Sequence, residues 1–313
     1  MSIRWGFLGA GFVASRGLAP AVHEAANASL FAVASRDPSR SAALEPTRVH
    51  ASYDDLLADD EVDAVYISLA NHQHLEWVVK SLEAGKHVLC EKPLGLRAAE
   101  VAAMFEVAEK HDRLLVEAVW ARWHPRFRRM VDVVASGSLG NLEHIDSSFT
   151  FTSEMTDNYR LNPTMGGGAL LDVGCYQVHA WVALTGGAPD LSLDRVDRLI
   201  GPTGVDMTTE VTARMGTTSA HALASFALSN QQQLTVRGAA GEMRTGQGES
   251  FTTWNEPSSL HIGEDEEVFA STNAFVVMVE NVSNVSAGRD GWIVPAAESV
   301  RVASILDDIA ALH

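Results

Sequence analysis

Three short stretches of this chain place chemically useful groups at informative spacing. The first, "FLGAGFVAS", sets Gly9, Gly11 and Ala14 in G-x-G-x-x-A order, after an apolar run and ahead of a helical pattern. Gly9 permits a tight turn, Gly11 lets backbone approach a pyrophosphate, and Ala14 lets the helix pack close to the strand. The helix start, with Phe12 and Val13, offers free N–H groups and a partial positive charge. A glycine turn with no ligand has the same pattern. The next strand ends "VASRDPSR". A site for NAD usually has an acid here to hold the ribose hydroxyls; this chain has Ser35, followed by Arg36 and Arg40. A hydroxyl and two guanidiniums suit a 2′-phosphate, which favours NADP over NAD, unless both arginines are simply solvated. Asp37 complicates this, or else begins a turn with Pro38.

The second stretch is "LLDVGCYQVHAW". Asp172 and Tyr176 are four apart and share a face if the segment is helical; His179 follows one turn later. A phenol works as a base near neutrality only if its pKa is lowered, as a nearby ammonium would do. His179 suits a proton relay or, more simply, a packed or orienting role. The third stretch is "CEKPL", where Lys92, one of only four lysines, sits between an acid and a proline directly after the apolar "HVLC".

The elements that must hold these groups read as follows. The first third alternates short, nearly all-apolar strands with helices, which predicts a parallel sheet covered on both faces. Near Trp120 the pattern changes. "PRFRRMVDVVASG" reads as a helix ending at Gly137, "EHIDSSFTFTS" as a half-exposed strand and "GALLDVGCYQVHAWVALTG" as a helix. Strands and turns run from about Leu191 to Phe269, and two helices close the chain. The expected fold is α/β: a Rossmann dinucleotide-binding domain at residues 1–120, then an α+β domain at 121–313 with an open, largely antiparallel sheet for substrate binding and oligomerisation. Strands such as "HALASFALS" and "VTARM" lead us to expect apolar residues on both faces of that sheet, and so a homodimer or dimer of dimers through the uncovered face.

Composition narrows the function further. The 313 residues are 46% hydrophobic and 20% charged, ordinary for a globular protein, with a formal net charge of −17. That charge repels polyanions and argues against nucleic-acid or anionic-membrane partners. Two cysteines, Cys90 and Cys175, form neither a zinc-type spacing nor a disulfide framework. The start lacks a signal-peptide pattern and no apolar run approaches a membrane span, so a cytoplasmic location is expected. His72 and His74 form an H-x-H after a strand, but a convincing set of further metal ligands is missing, so no metal is expected. Short-chain dehydrogenase chemistry needs Tyr-x-x-x-Lys, and none of Tyr53, Tyr66, Tyr159 or Tyr176 has lysine four residues on.

"RWGFLGAGFVA", "GKHVLCEKPL", "VEAVWARWHPRF" and "GGGALLDVGCYQVHA" resemble the glucose–fructose oxidoreductase, inositol dehydrogenase and MocA family across the whole chain. The likeness is nearest to the branch of dimeric dihydrodiol dehydrogenase and NADP-dependent xylose dehydrogenase. The resemblance implies hydride transfer between a nicotinamide and a sugar-like, polyol or diol CH–OH/carbonyl pair. It implies that Lys92, beside the nicotinamide, bonds the reacting oxygen, that Lys92–Pro93 is a cis bond, that Tyr176 transfers the proton and that Asp172 bonds a substrate hydroxyl. Asn71, His74, Glu91 and Lys92 then join Gly9, Gly11, Phe12, Val13, Ser35, Arg36 and Arg40 around the cofactor. Trp120, Arg122 and Arg160 join Lys92, Asp172, Tyr176 and His179 around a small-molecule substrate, though Trp120 and Arg122 equally suit interdomain packing. Gly166 to Gly168 are expected to let the helix start approach the nicotinamide. The family often has proline before Asn71, where this chain has Ala70; Asn71 remains to cap the following helix. Some relatives of this fold are non-catalytic sensors of dinucleotide or sugar, a rival reading that the joint presence of Lys92, Asp172 and Tyr176 opposes.

Overall fold

A computed structural model describes residues 2–187 and 190–312. Two compact units emerge, one of Met1–Gly95, Ala99–Trp120 and Asn273–Ala296, the other of Leu96–Ala98, Ala121–Thr272 and Ala297–His313. The expected cut after residue 120 falls on one crossing of the chain, which also returns to the first unit for residues 273–296.

The first unit contains β1 (Ile3–Leu8), α1 (Ala19–Glu24), β2 (Ala28–Ala34), α2 (Pro38–Ala42), β3 (Arg48–His50), α3 (Tyr53–Leu57), β4 (Ala64–Ile67), α4 (His74–Glu83), β5 (His87–Glu91), most of α5 (Ala98–Lys110) and β6 (Leu115–Ala118). The strands form a wholly parallel sheet in the order β3-β2-β1-β4-β5-β6. Strands β1, β4 and β5 in the middle are buried along nearly their whole length, as parallel strands covered on both faces must be. They end together: Leu8 lies beside Ala34 and Ile67, Ile67 beside Cys90, and Glu91 beside Ala118. The three-residue β3 was not marked by any sequence pattern.

The returning helix, residues Ala274–Ser286, completes this unit (it is α8 in chain order). Its Phe275 fills the space above Gly17, where a Cβ would come within 2.9 Å of the ring. Its Ser283 Oγ accepts from the buried Trp5 Nε1 at 3.0 Å.

The second unit holds α6 (Pro125–Ala135), β7 (Leu142–Thr152), α7 (Cys175–Leu184), β8 (Leu191–Ile200), β9 (Asp206–Met215), β10 (Thr218–Ser225), β11 (Ala227–Gly238), β12 (Gly241–Thr245), β13 (Ser258–Ile262), β14 (Asp265–Phe269) and α9 (Ala296–Ala311). Its eight strands run β14-β13-β12-β11-β7-β10-β9-β8, antiparallel except where β7 meets β10. Alternation sends Val211, Ala213, Met215, Ala220, Ala222, Ala224, Leu234 and Val236 to the buried side. The intervening and flanking residues are Glu210, Thr212, Arg214, His221, Leu223, Gln233, Thr235 and Arg237, of which Leu223 alone is apolar. This corrects the expectation of two apolar faces: "VTARM" and "HALASFALS" are dense in small apolar residues, but their period of two puts arginine, glutamate and histidine outward. His221 there links neighbouring strands, with Nδ1 2.8 Å from Asp146 Oδ1 and Nε2 2.9 Å from Glu210 Oε1. Among the described residues no helix is long and apolar enough to cross a membrane.

Helix α6 begins with a titratable cap. His124 Nδ1 accepts from the Arg126 backbone N–H at 3.1 Å, and Pro125 occupies the first helical position, where no N–H is needed. Accepting that bond requires an unprotonated Nδ1. Burial, helped by the adjacent Arg126 charge, lowers the His124 pKa from 6.5 to about 4. An unfolded chain takes up this proton below pH 6.5, whereas the folded chain refuses it until about pH 4. The contribution of His124 is therefore complete above 6.5 and is lost as pH falls from 6.5 towards 4. Melting temperatures measured across that window should fall less steeply in His124→Asn, which caps without titrating, than in the parent chain. Parallel curves would remove His124 as the source.

Candidate functional site

In the first unit the expected cofactor residues follow the C-terminal ends of parallel strands. Gly9 has φ +100°, and a Cβ there would lie 2.5 Å from the Ser68 carbonyl oxygen. Its glycine is thus required by the chain itself, because strands β1 and β4 pinch together at this turn. Gly11 differs: a Cβ would meet nothing nearer than the Ser68 hydroxyl, at 3.4 Å. The fold leaves open a cradle that a side chain would fill, as close approach of a phosphate needs. Phe12 is 71% exposed, and Val13 leads into a π-helical turn, Ala14–Leu18, that continues as α1.

Beyond β2, Asp37 is taken up locally. Its Oδ1 accepts from Ser39 N at 2.9 Å and Ser39 Oγ at 2.6 Å, capping α2 ahead of Pro38. The Ser39 hydroxyl bond and then its N–H hold the carboxyl below its ordinary pKa. Ser35 Oγ donates to the Asp37 carbonyl at 2.7 Å and lies 2.8 Å from Ser41 Oγ. Arg40 reaches back into the glycine turn, donating to the Ala10 carbonyl at 2.6 Å, while Arg36 is exposed.

The other edge residues are more deeply set. Asn71 is buried and opens a short 3-10 turn, Asn71–Gln73; α4 starts after it with Gln73 as its N-cap. Asn71 therefore does not cap that helix as expected, because the intervening turn separates them. His74 is fully buried, with Nδ1 2.9 Å from the Pro93 carbonyl and Nε2 3.2 Å from the Leu69 carbonyl. Burial holds its pKa below the ordinary value. It thus ties the loop after β4 to the loop after β5. The Lys92–Pro93 bond is cis. On either side of half-buried Lys92, Glu91 accepts from Tyr66 Oη at 2.6 Å and Glu117 accepts from Leu94 N at 3.1 Å. Burial first, then Glu91, pushes the Tyr66 phenol far above its usual pKa. Trp120, at the end of β6, is buried and stacks on Phe275 at 4.6 Å.

In the second unit the candidates centre on one helix. Leu170–Gly174 is a π-helical turn that runs into α7, every residue of which is buried. Asp172 lies in the π turn and Tyr176 in the α-helix, so the spacing of four crosses a change of helical pitch; such turns often occur at functional sites. The Asp172 carboxylate accepts from Arg160 Nε at 2.8 Å, so these two expected substrate ligands are brought together. Tyr176 is buried against Phe149 and Phe251, with ring centroids 5.7 and 6.2 Å away, and those two phenylalanines stack on each other at 5.9 Å. His179 is buried one turn further on. Arg122 is buried and donates to Glu298 Oε2 at 2.7 Å.

The glycines ahead of this helix have reasons inside the unit. A Cβ at Gly167 would lie 2.4 Å from the Arg160 carbonyl oxygen, and one at Gly168, which has φ +117°, would lie 1.9 Å from Asp206 Oδ1. Asp206 is a residue that sequence reading missed. Its Oδ2 accepts from Leu170 N at 2.8 Å and from Thr209 Oγ1 at 2.7 Å. It thereby caps, from the start of β9, the helix that carries Asp172 and Tyr176. Burial raises its pKa, against the lowering effect of the Thr209 and Leu170 bonds. No local motif marks a cap supplied from 36 residues away.

Comparison with known proteins fits this architecture. The description of the GFO_IDH_MocA oxidoreductase family, with its NAD-binding Rossmann fold, matches residues 3–118, and that of the GFO/IDH/MocA C-terminal domain matches residues 127–244. The chain belongs to the GFO/IDH/MocA family. It is 42% identical over 196 residues to D-xylose 1-dehydrogenase (NADP(+)) 2 of Haloferax volcanii, covering 59% of this chain and 58% of that protein. It is 34% identical over 222 residues to trans-1,2-dihydrobenzene-1,2-diol dehydrogenase of Bos taurus, covering 67% and 64%. These matches span less than two thirds of either relative. Among solved structures, a 3-ketoreductase from Actinomadura kijaniata in complex with NADP and TDP-benzene superposes with a TM-score of 0.89 at 26% identity, over 99% of this chain and 97% of that one.

Proposed function

We propose that this chain is an NADP-dependent oxidoreductase that interconverts a CH–OH group and a carbonyl on a carbohydrate-like, polyol or diol substrate. The observation that carries the reading is the open cradle at Gly11 on the same sheet edge as Lys92. The names of the relatives support it, since both are dehydrogenases of hydroxylated substrates and one is specified for NADP. The Actinomadura ketoreductase adds to it. That enzyme has been solved as two single mutants, one with a lysine and one with a tyrosine replaced, and these two positions are separated by the same number of residues as Lys92 and Tyr176.

Gly9, Gly11 and the N–H groups after them would hold the pyrophosphate, and Ser35 with Arg36 and Arg40 the 2′-phosphate. When bound, the nicotinamide supplies or takes up the hydride. Lys92 Nζ donates to the reacting oxygen, where negative charge develops as the hydroxyl proton leaves. Tyr176 Oη takes that proton as the phenolate in oxidation and returns it as the phenol in reduction. Asp172 accepts from a second substrate hydroxyl, which orients the substrate. A second copy of the chain is the proposed partner. The outer face of the eight-stranded sheet carries both charge signs in adjacent rows, which suits a self-complementary contact.

A screen of NADP and NAD against aldoses, inositols, dihydrodiols and dicarbonyls tests the reading as a whole. Lys92→Met should retain cofactor binding and lose most turnover; wild-type turnover would take Lys92 out of the mechanism. Arg36→Ala should raise KM for NADP far more than for NAD, by roughly 10- to 150-fold for a lost charged bond. Equal effects on both cofactors would overturn the 2′-phosphate assignment. For the dimer, light scattering at micromolar concentration should give twice the chain mass or more, and a mass of one 33.7 kDa chain refutes it.

A further inference from the structure

We infer that Asp206 is a positioning residue for Asp172 and Tyr176, an inference that rests on the hydride-transfer reading of the chain. Four contacts close a ring around the helix start. Asp206 Oδ2 accepts from Leu170 N at 2.8 Å. The other oxygen, Oδ1, lies over Gly168, where only a glycine leaves room for it. Gly168 N donates to the Arg160 carbonyl at 2.9 Å. Arg160 Nε donates to Asp172 Oδ2 at 2.8 Å, and Asp172 is two residues from Leu170, where the ring began. Asp206 is the only one of these groups that comes from the sheet; all the others belong to the helix or to the loop before it. It therefore fixes that loop and helix to β9, and Thr209, three residues along the same strand, fixes the carboxylate.

The chemistry of the contact suits an anchor. The first N–H groups of a helix have no partner within it, and the positive end of the helix dipole favours an anion. Every residue of α7 is buried, so the helix cannot take up a displacement at one end by bending into solvent. A shift of Leu170 is carried to Asp172 and on to Tyr176, which is already wedged by Phe149 and Phe251. Misplacement of a reacting group by about 1 Å lowers a rate by roughly 100-fold.

The test compares Asp206→Ala, Asp206→Asn and Thr209→Val with the parent chain. Turnover is measured with NADP and whichever member of the substrate panel the parent oxidises fastest, and amide hydrogen exchange is followed at Leu170–Gly174. Asp206→Ala should lower kcat by about 10- to 100-fold and leave KM for NADP unchanged, with faster exchange at the turn. Asp206→Asn keeps an oxygen acceptor for Leu170 N–H and should restore most of kcat. Parental kcat in Asp206→Ala overturns the inference, and so does a loss that Asp206→Asn fails to restore. Should Asp206→Ala not fold, Thr209→Val decides: a partial fall in kcat with faster exchange supports the anchor, and no change in either overturns it. If the parent oxidises nothing in the panel, the hydride-transfer reading falls by itself. Exchange at Leu170–Gly174 then decides whether Asp206 holds the turn, unchanged exchange in Asp206→Ala overturning it.

Discussion

Strands that pair only in parallel cannot be joined by hairpins, so each connection leaves the sheet at one edge and returns at the other. The first unit is governed by that constraint. Five of the six strands, ending nearly level, deliver the glycine turn, Ser35, the Asn71 segment, Lys92 and Trp120 to a single edge. The chain then tightens what topology has collected. Ser68 N donates to the Leu8 carbonyl at 2.9 Å, Gly9 N to the Ala34 carbonyl at 2.8 Å, and His74 lies between the Leu69 and Pro93 carbonyls. These bonds link neighbouring loops to one another, so Lys92 stands on a braced edge.

The second unit solves a different problem, that of placing polar side chains on a helix buried on all sides. Burying a carboxylate is unfavourable unless it is bonded, and both Asp172 on the helical segment and Asp206, which caps it from β9, are bonded. Asp172 receives Arg160, and Asp206 receives Leu170 N–H and the Thr209 hydroxyl. The glycines between them act through absence, since a methyl group at 167 or 168 would occupy the space of the Arg160 carbonyl or the Asp206 carboxylate.

Local features of this molecule were legible in the sequence and remote ones were not. The glycine turn, the alternation of strand and helix, the buried helix with Asp172 and Tyr176, and the turn begun by Asp37 and Pro38 each rest on residues within a few positions of one another. Arg48–His50 escaped because three residues with one half-buried member carry no period. The outer face of the second sheet was misjudged because alanine-rich strands look apolar throughout until the side chains are assigned to faces. Asp206 and the Arg160–Asp172 pair were invisible as contacts because they depend on how β9 and the loop after β7 come back to the helix, which no local spacing encodes.

The return of residues 273–296 to the first unit has a consequence for synthesis. Trp5 finds its hydrogen-bond partner 278 positions later, and the face around Gly17 is covered only when Phe275 arrives. An emerging chain can pair β1 to β6 early, yet it must hold that sheet with one flank bare while residues 121–272 of the second unit are translated. The nucleotide-binding half is thus first to begin and among the last to be finished, and a nascent chain stalled before residue 273 would present an apolar flank to chaperones instead of a closed Rossmann unit.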